Sequence, residues 1–142
     1  MLGYAYDDGG RPPDLPRGTG DCAARAIARA LGFTYPSVAA HLLARANCRV
    51  FTATQGCPAN HVYAMLEDLG WRWQGAPAPP RIPLGIAPVP DRRRVVAIVE
   101  SHRRGGQHAS AIVNDVVHDL FDSRERLVIG YFVASPAIWG AL

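Results

Sequence analysis

The chain has 142 residues, of which 49% are hydrophobic and 19% charged, with a formal net charge of +3. This composition describes one globular domain, 1–142, long enough for a real core, and excludes a disordered chain. No apolar run approaches the ~18 residues that span a bilayer, so no membrane partner is expected. The first eight residues, Met1 to Asp8, lack the apolar segment of a signal peptide. Three cysteines without scaffold spacing (Cys22, Cys48, Cys57) fit a reducing compartment, and together these features predict a cytoplasmic protein. All 15 basic residues are arginine, which a GC-rich genome explains most simply.

In chain order, residues 1–20 carry Gly9, Gly10, Pro12, Pro13, Pro16, Gly18 and Gly20 and read as an irregular lead-in. An alanine-rich helix follows from about Cys22 to Leu31, with Asp21 as N-cap and Gly32 as its stop. A second helix is expected from Pro36 to about Ala46, capped by Thr34 or Tyr35, with Val38, Leu42, Leu43 and Ala46 on its apolar face and His41 at the surface or boundary. A third runs from about Pro58 or Ala59 to Leu69 and stops at Gly70. Trp71-Arg72-Trp73 reads as a short strand or an aromatic plug. Residues 75–91 hold six prolines, break any regular element and are expected to form an ordered surface loop. The period then switches to two, giving strands at 94–100, 108–113, 116–121 and 127–133, and an apolar tail, 134–142, expected to pack back on the body. Helices first and an antiparallel sheet second make the fold class α+β.

The candidate chemistry begins at Cys22. A thiol in the first helical turn lies beside unpartnered backbone N–H groups and the positive end of the helix dipole, which favours thiolate. The second half of the site lies in a hairpin. With Asn114-Asp115 as a two-residue turn, Ala111 faces His118, Ser110 faces Asp119 and His108 faces Phe121. His108, Ser110, Ile112 and Asp119 then share one face, with Asp119 diagonal to His108. Asp122 falls on the opposite face unless a bulge intervenes. A carboxylate beside His108 would fix its tautomer and stabilise its charged form, and the imidazole could hold Cys22 as thiolate. Taken singly, a buried inert cysteine, a solvated histidine and a turn-forming aspartate are the commoner readings. The joint pattern is far more restrictive.

Asp21-Cys22 with Arg25-Ala26-Ile27, the strand His108 to Val113, and Val117 to Ser123 followed by Gly130-Tyr131-Phe132 resemble the papain-like cysteine peptidase superfamily. The likeness is to its compact bacterial and phage NlpC/P60- and peptidase-C39-like members, and covers roughly Asp21 to Val133. It implies a helix bearing the nucleophile packed on a sheet bearing the histidine, and attack on a carbonyl to form a thioester. Cys22 would be nucleophile, His108 general base and acid, and Asp119 the orienting residue, with Asp122 in reserve. The substrate would be a peptide or protein, and no cofactor or metal is implied. One departure stands out: the glutamine that papain and the C39 peptidases carry six residues before the cysteine is Pro16 here. The Cys22 amide can supply one oxyanion donor, and Thr19, Gln107 or an amide of residues 18–21 would have to supply the second.

Three other classes fit less well. Cys48, Cys57 and His61 lack the paired Cys-x-x-Cys element of a zinc site. Arg92-Arg93-Arg94 and Arg103-Arg104 could neutralise phosphates, but no aromatic reading face accompanies them, so nucleic acid is an unlikely partner. A papain-like fold without chemistry, acting as a binding or host-interaction protein, is the main alternative.

Overall fold

The computed structural model describes residues 1–15, 20–48, 51, 59–77, 80–101 and 106–134. In chain order these form β1 (Gly3–Tyr6), α1 (Cys22–Leu31), α2 (Tyr35–Arg45), α3 (Ala59–Asp68), β2 (Trp71–Gly75), β3 (Arg94–Glu100), β4 (Gln107–Val113), β5 (Val116–Asp119) and β6 (Val128–Ala134). The fold is α+β, with one six-stranded sheet ordered β1-β5-β4-β3-β6-β2.

Local chemistry sets the helix ends. Gly32 adopts φ 75°, a left-handed conformation that costs glycine little, and its N–H closes α1 on the Ala28 carbonyl at 3.0 Å. The Thr34 hydroxyl accepts from the Ser37 N–H at 3.4 Å and caps α2, with Pro36 in the first turn. β3 is buried from Val95 to Val99 and pairs antiparallel with β4 on one side and β6 on the other. Alternation along the strands separates two apolar clusters. Val96, Ile98, Ala109, Ala111 and Phe132 face the helices, where they meet Ile27, Leu31, Leu42 and Leu66. Val95, Ala97, Val99, Ile112, Val117 and Tyr131 face the other way. Ala109 and Ala111 of β4 and the alanines of α1 are small enough to bring helix and strand close together. Each large side chain fully buried there contributes ~1.5–3 kcal/mol.

Two expectations need correction. The lead-in is not irregular throughout, because Gly3–Tyr6 is an edge strand. It runs parallel to β5, with Gly3 opposite Val116 and Tyr6 opposite Asp119, so the sheet is mixed and not antiparallel. Leu2 anchors it: the side chain is buried in the second cluster and the N–H donates to the Gly85 carbonyl at 2.9 Å. The proline-rich stretch also keeps one regular element, a 3-10 turn at Leu84–Ile86, and an isolated bridge between Pro83 and Leu127. Leu84 and Ala87 are buried, so the described part of this stretch is the lid of the second cluster.

Trp71-Arg72-Trp73 does form a strand, paired antiparallel with β6. The Trp73 indole lies so close over Gly130 that a Cβ there would sit 2.4 Å from the ring. The strand expected to reach Phe121 stops at Asp119. Most of the turn at 102–106 and nearly all of the tail at 134–142 lie outside the described residues. Among the described residues no helix is long and apolar enough to cross a membrane.

Candidate active site

Cys22 opens α1 and is half-buried. Its neighbour Asp21 does not cap the helix with its side chain, contrary to expectation. The Asp21 carboxylate is instead drawn into the interior, where Arg25 Nε donates to Oδ1 at 3.1 Å and the Tyr35 hydroxyl donates to Oδ2 at 2.8 Å. Arg11 adds an ion pair to Oδ2 at 3.1 Å. A buried carboxylate needs such partners more than the helix end needs a cap, because its desolvation costs far more than the ~1 kcal/mol of a capping bond.

The hairpin carries the rest. Asn114 and Asp115 form its two-residue turn at φ 49° and 67°, and Ala111 lies opposite His118. On its β4 side β5 pairs with Ala111 to Val113, which leaves β4 from Gln107 to Ser110 without a β5 neighbour. Side chains of α1, β4 and β5 meet across this open flank. His108 Nε2 lies 2.6 Å from Asp119 Oδ2, while the thiol of Cys22 sits beside the same imidazole, the two lining one cleft. The Phe121 ring covers the imidazole at 4.8 Å between centroids. The fold thus brings Cys22, His108 and Asp119 into one connected set. Asp122 is elsewhere: it is exposed and pairs with Arg124 at 2.7 Å.

Asp119 is saturated with donors. Oδ2 takes His108 and the Ser110 hydroxyl, and Oδ1 takes the Leu120 N–H at 2.8 Å and Arg25 Nη1 at 3.1 Å. Ser110 is held in turn by the Ser123 hydroxyl at 2.8 Å, and both serines are buried. These contacts were only partly legible in the sequence. Ser110 shares the face of His108 by alternation, but Arg25, Ser123 and Tyr35 come from distant segments.

The electrostatics follow from this geometry. Burial alone would push the Cys22 thiol up, but the His108 hydrogen bond and charge, the Ala109 backbone N–H and Arg25 outweigh it and hold the thiol below its ordinary value. Burial would lower His108; hydrogen bonds to Asp119 and Cys22 and their negative charge raise it to about 9. Burial would raise Asp119, and His108, Ser110 and Arg25 together hold it below the usual carboxylate range. All three shifts favour a thiolate–imidazolium pair backed by a carboxylate.

Cys22 lines a small cleft of about 60 Å³ together with Ala23, Val62, Tyr63, Ile98 and Gln107, among others. A larger groove, lined by Asp7, Asp8, Gly10, Arg29, Phe33 and Pro36 among others, lacks all three residues of the set. Of the expected oxyanion donors, Gln107 lines the first cleft and its side-chain oxygen accepts from the Tyr63 hydroxyl at 3.4 Å, while Thr19 lies outside the described residues. Cys48 is exposed beyond α2, His61 lies on α3, and Cys57 is outside the described residues. Arg92 and Arg93 pair with Asp115 and Asp91, and Arg103 and Arg104 lie outside the described residues. No group of three or more His, Cys, Asp or Glu able to hold a metal occurs among the described residues. No family model matches the chain, and no curated protein matches it significantly.

Proposed function

We propose that this chain is a cysteine peptidase or amidase of papain-like kind that hydrolyses a peptide or isopeptide bond through Cys22, His108 and Asp119. The observation that carries this reading is the single chain of contacts Cys22–His108–Asp119 at a helix start that opens on a cleft. In this reading the Cys22 thiolate attacks the carbonyl carbon, a C–S bond forms, and the carbonyl electron pair moves to oxygen. The Cys22 backbone N–H, unpartnered within the helix, supplies one donor to that oxyanion. Collapse breaks the C–N bond while the His108 imidazolium gives its proton to the departing amine. Water then attacks the thioester, His108 takes its proton, and the C–S bond breaks to return the thiolate and release a carboxylic acid. Asp119 keeps its negative charge throughout and orients the imidazole.

The test is site-resolved iodoacetamide labelling from pH 5 to 9, for the parent and for His108→Ala, followed by hydrolysis of a peptide and isopeptide panel. Cys22 is expected to label far faster than Cys48 and Cys57 at pH 6, to lose that advantage without His108, and to support turnover that Cys22→Ala abolishes. Turnover retained in Cys22→Ala would overturn the assignment. Equal labelling of all three cysteines, near the free-thiol value of ~8.5, would point to a binding protein on the same fold.

A further inference from the structure

Arg25 stands one turn beyond Cys22 in a helix otherwise built mostly of alanine, and it is 8% exposed. A guanidinium is rarely buried unless every donor face is used. Here Nε meets Asp21 Oδ1 and Nη1 meets Asp119 Oδ1, both at 3.1 Å, and the two carboxylates are fully or almost fully buried. One planar fork therefore spans the residue before the nucleophile and the residue behind the histidine. The groups facing the sulfur and its imidazole are Arg25 on α1, His108 on β4, Asp119 on β5 and Tyr63 on α3 across the cleft; Asp21, paired with Arg11 and Tyr35, backs Arg25.

We propose that Arg25 is a positioning residue for this site: its guanidinium clamps Asp119 of the sheet to Asp21 of the helix start and sets a positive charge beside the sulfur. The charges then alternate along Arg11, Asp21, Arg25, Asp119, His108 and Cys22, each neighbour neutralising the next. The clamp fixes the helix that carries the thiol against the pair that activates it. It fills the Oδ1 position left after Leu120, so Asp119 turns Oδ2 to His108 and Ser110. Lysine, a point charge without a fork, cannot span two carboxylates in this way. The inference deepens the proposed function, resting on it for the reaction while taking its own readout from thiol reactivity.

The experiment compares the pH dependence of Cys22 alkylation in the parent, Arg25→Gln and Arg25→Lys, with near-ultraviolet circular dichroism as the check on folding. In Arg25→Gln the rate at pH 6 is expected to fall about tenfold or more, with the rate at pH 9.5 within about twofold of the parent, because loss of the neighbouring cation raises the thiol. Arg25→Lys should recover less than about half of the lost rate, since it restores charge but not the fork. Should Arg25→Gln fail to fold, Asp21→Asn with Arg25→Gln removes both charges together and the same rates decide. A folded variant lacking Arg25 that alkylates like the parent overturns the role of Arg25 alone. Full recovery in Arg25→Lys overturns the clamp. A parent whose Cys22 is unactivated overturns the catalytic reading itself.

Discussion

Two histidine–aspartate pairs lie close together on this molecule, and each carboxylate also holds an arginine of α1. His108 meets Asp119, which Arg25 grips; His118 meets Asp7 at 3.0 Å, which Arg29 grips. The arginines are four residues apart and so share a helix face. The residue types are identical and the surroundings are not. The Asp119 side chain is 1% exposed and that of Arg25 9%, whereas Arg29 is 48% exposed. His108 also has a thiol as its second partner, while His118 meets Asp7 through Nδ1. Burial makes the first set strongly interacting, because charges out of water are screened little and are costly to separate. Solvent weakens the second, leaving a brace that ties the lead-in to the sheet.

The largest contrast is expected between the two histidines. His108→Ala should remove the low-pH labelling advantage of Cys22 and abolish any turnover, whereas His118→Ala should leave the labelling rate within about twofold, since it lies outside the contact chain. Equal losses in both variants would show that the two histidines act on Cys22 alike. The pH profile sharpens it. Alkylation of Cys22 should begin below the ordinary thiol range, and a second step should follow near pH 9 as the imidazolium, raised to about 9, gives up its proton.

The carboxylates come next. Asp119→Asn takes from the buried Arg25 one of its two carboxylates and from His108 its carboxylate partner, and should cost ~3–5 kcal/mol in denaturant unfolding, against ~1 kcal/mol or less for Asp7→Asn. Both folded carboxyls lie below their ordinary values, so the unfolded chain takes up protons first. Their contributions are therefore present above about pH 4 and fade as pH falls through the folded values. The parent should lose stability in acid more steeply than Asp119→Asn, which has no such contribution to lose.

Gly9 joins the two regions, and a change there should have an intermediate effect. Its N–H donates to Asp7 at 2.8 Å, its φ is +65°, and a Cβ would fall 2.7 Å from the Arg25 Cα. Gly9→Ala should cost ~1–3 kcal/mol and, by pushing on α1 at Arg25, slow Cys22 alkylation as well. The smallest effect is expected at Cys48. It is exposed beyond α2, where its thiol donates to the Ala46 carbonyl at 3.4 Å, so Cys48→Ser should change neither melting temperature nor Cys22 reactivity.

The comparison also marks how much the sequence disclosed. The hairpin register followed from Asn114-Asp115 and alternation, and that register alone placed Asp119 diagonal to His108. Asp21 shows the opposite case. Its local signal was a cap, yet Tyr35 and Arg11 from other segments, with Arg25 a turn along, drew the carboxylate inward. β1 gave no clear local signal because its pairing with β5 is parallel and spans most of the chain, and the alternation of Gly-Tyr-Ala-Tyr is only four residues long.

By itself the sequence determined what depends on near neighbours: helix stops at Gly32 and Gly70, a cap at Thr34 or Tyr35, the period-two strands, the turn of the hairpin, and a thiol in a first helical turn. These are set by backbone conformation and side-chain spacing within a few residues. Only the tertiary structure decided the position of β1, the burial of Asp21 and Arg25, and the arginine of α1 that joins each His–Asp pair. Those outcomes depend on which distant groups lose water together, and the strength of a buried charge pair is fixed by that shared desolvation and not by the residues' places along the chain.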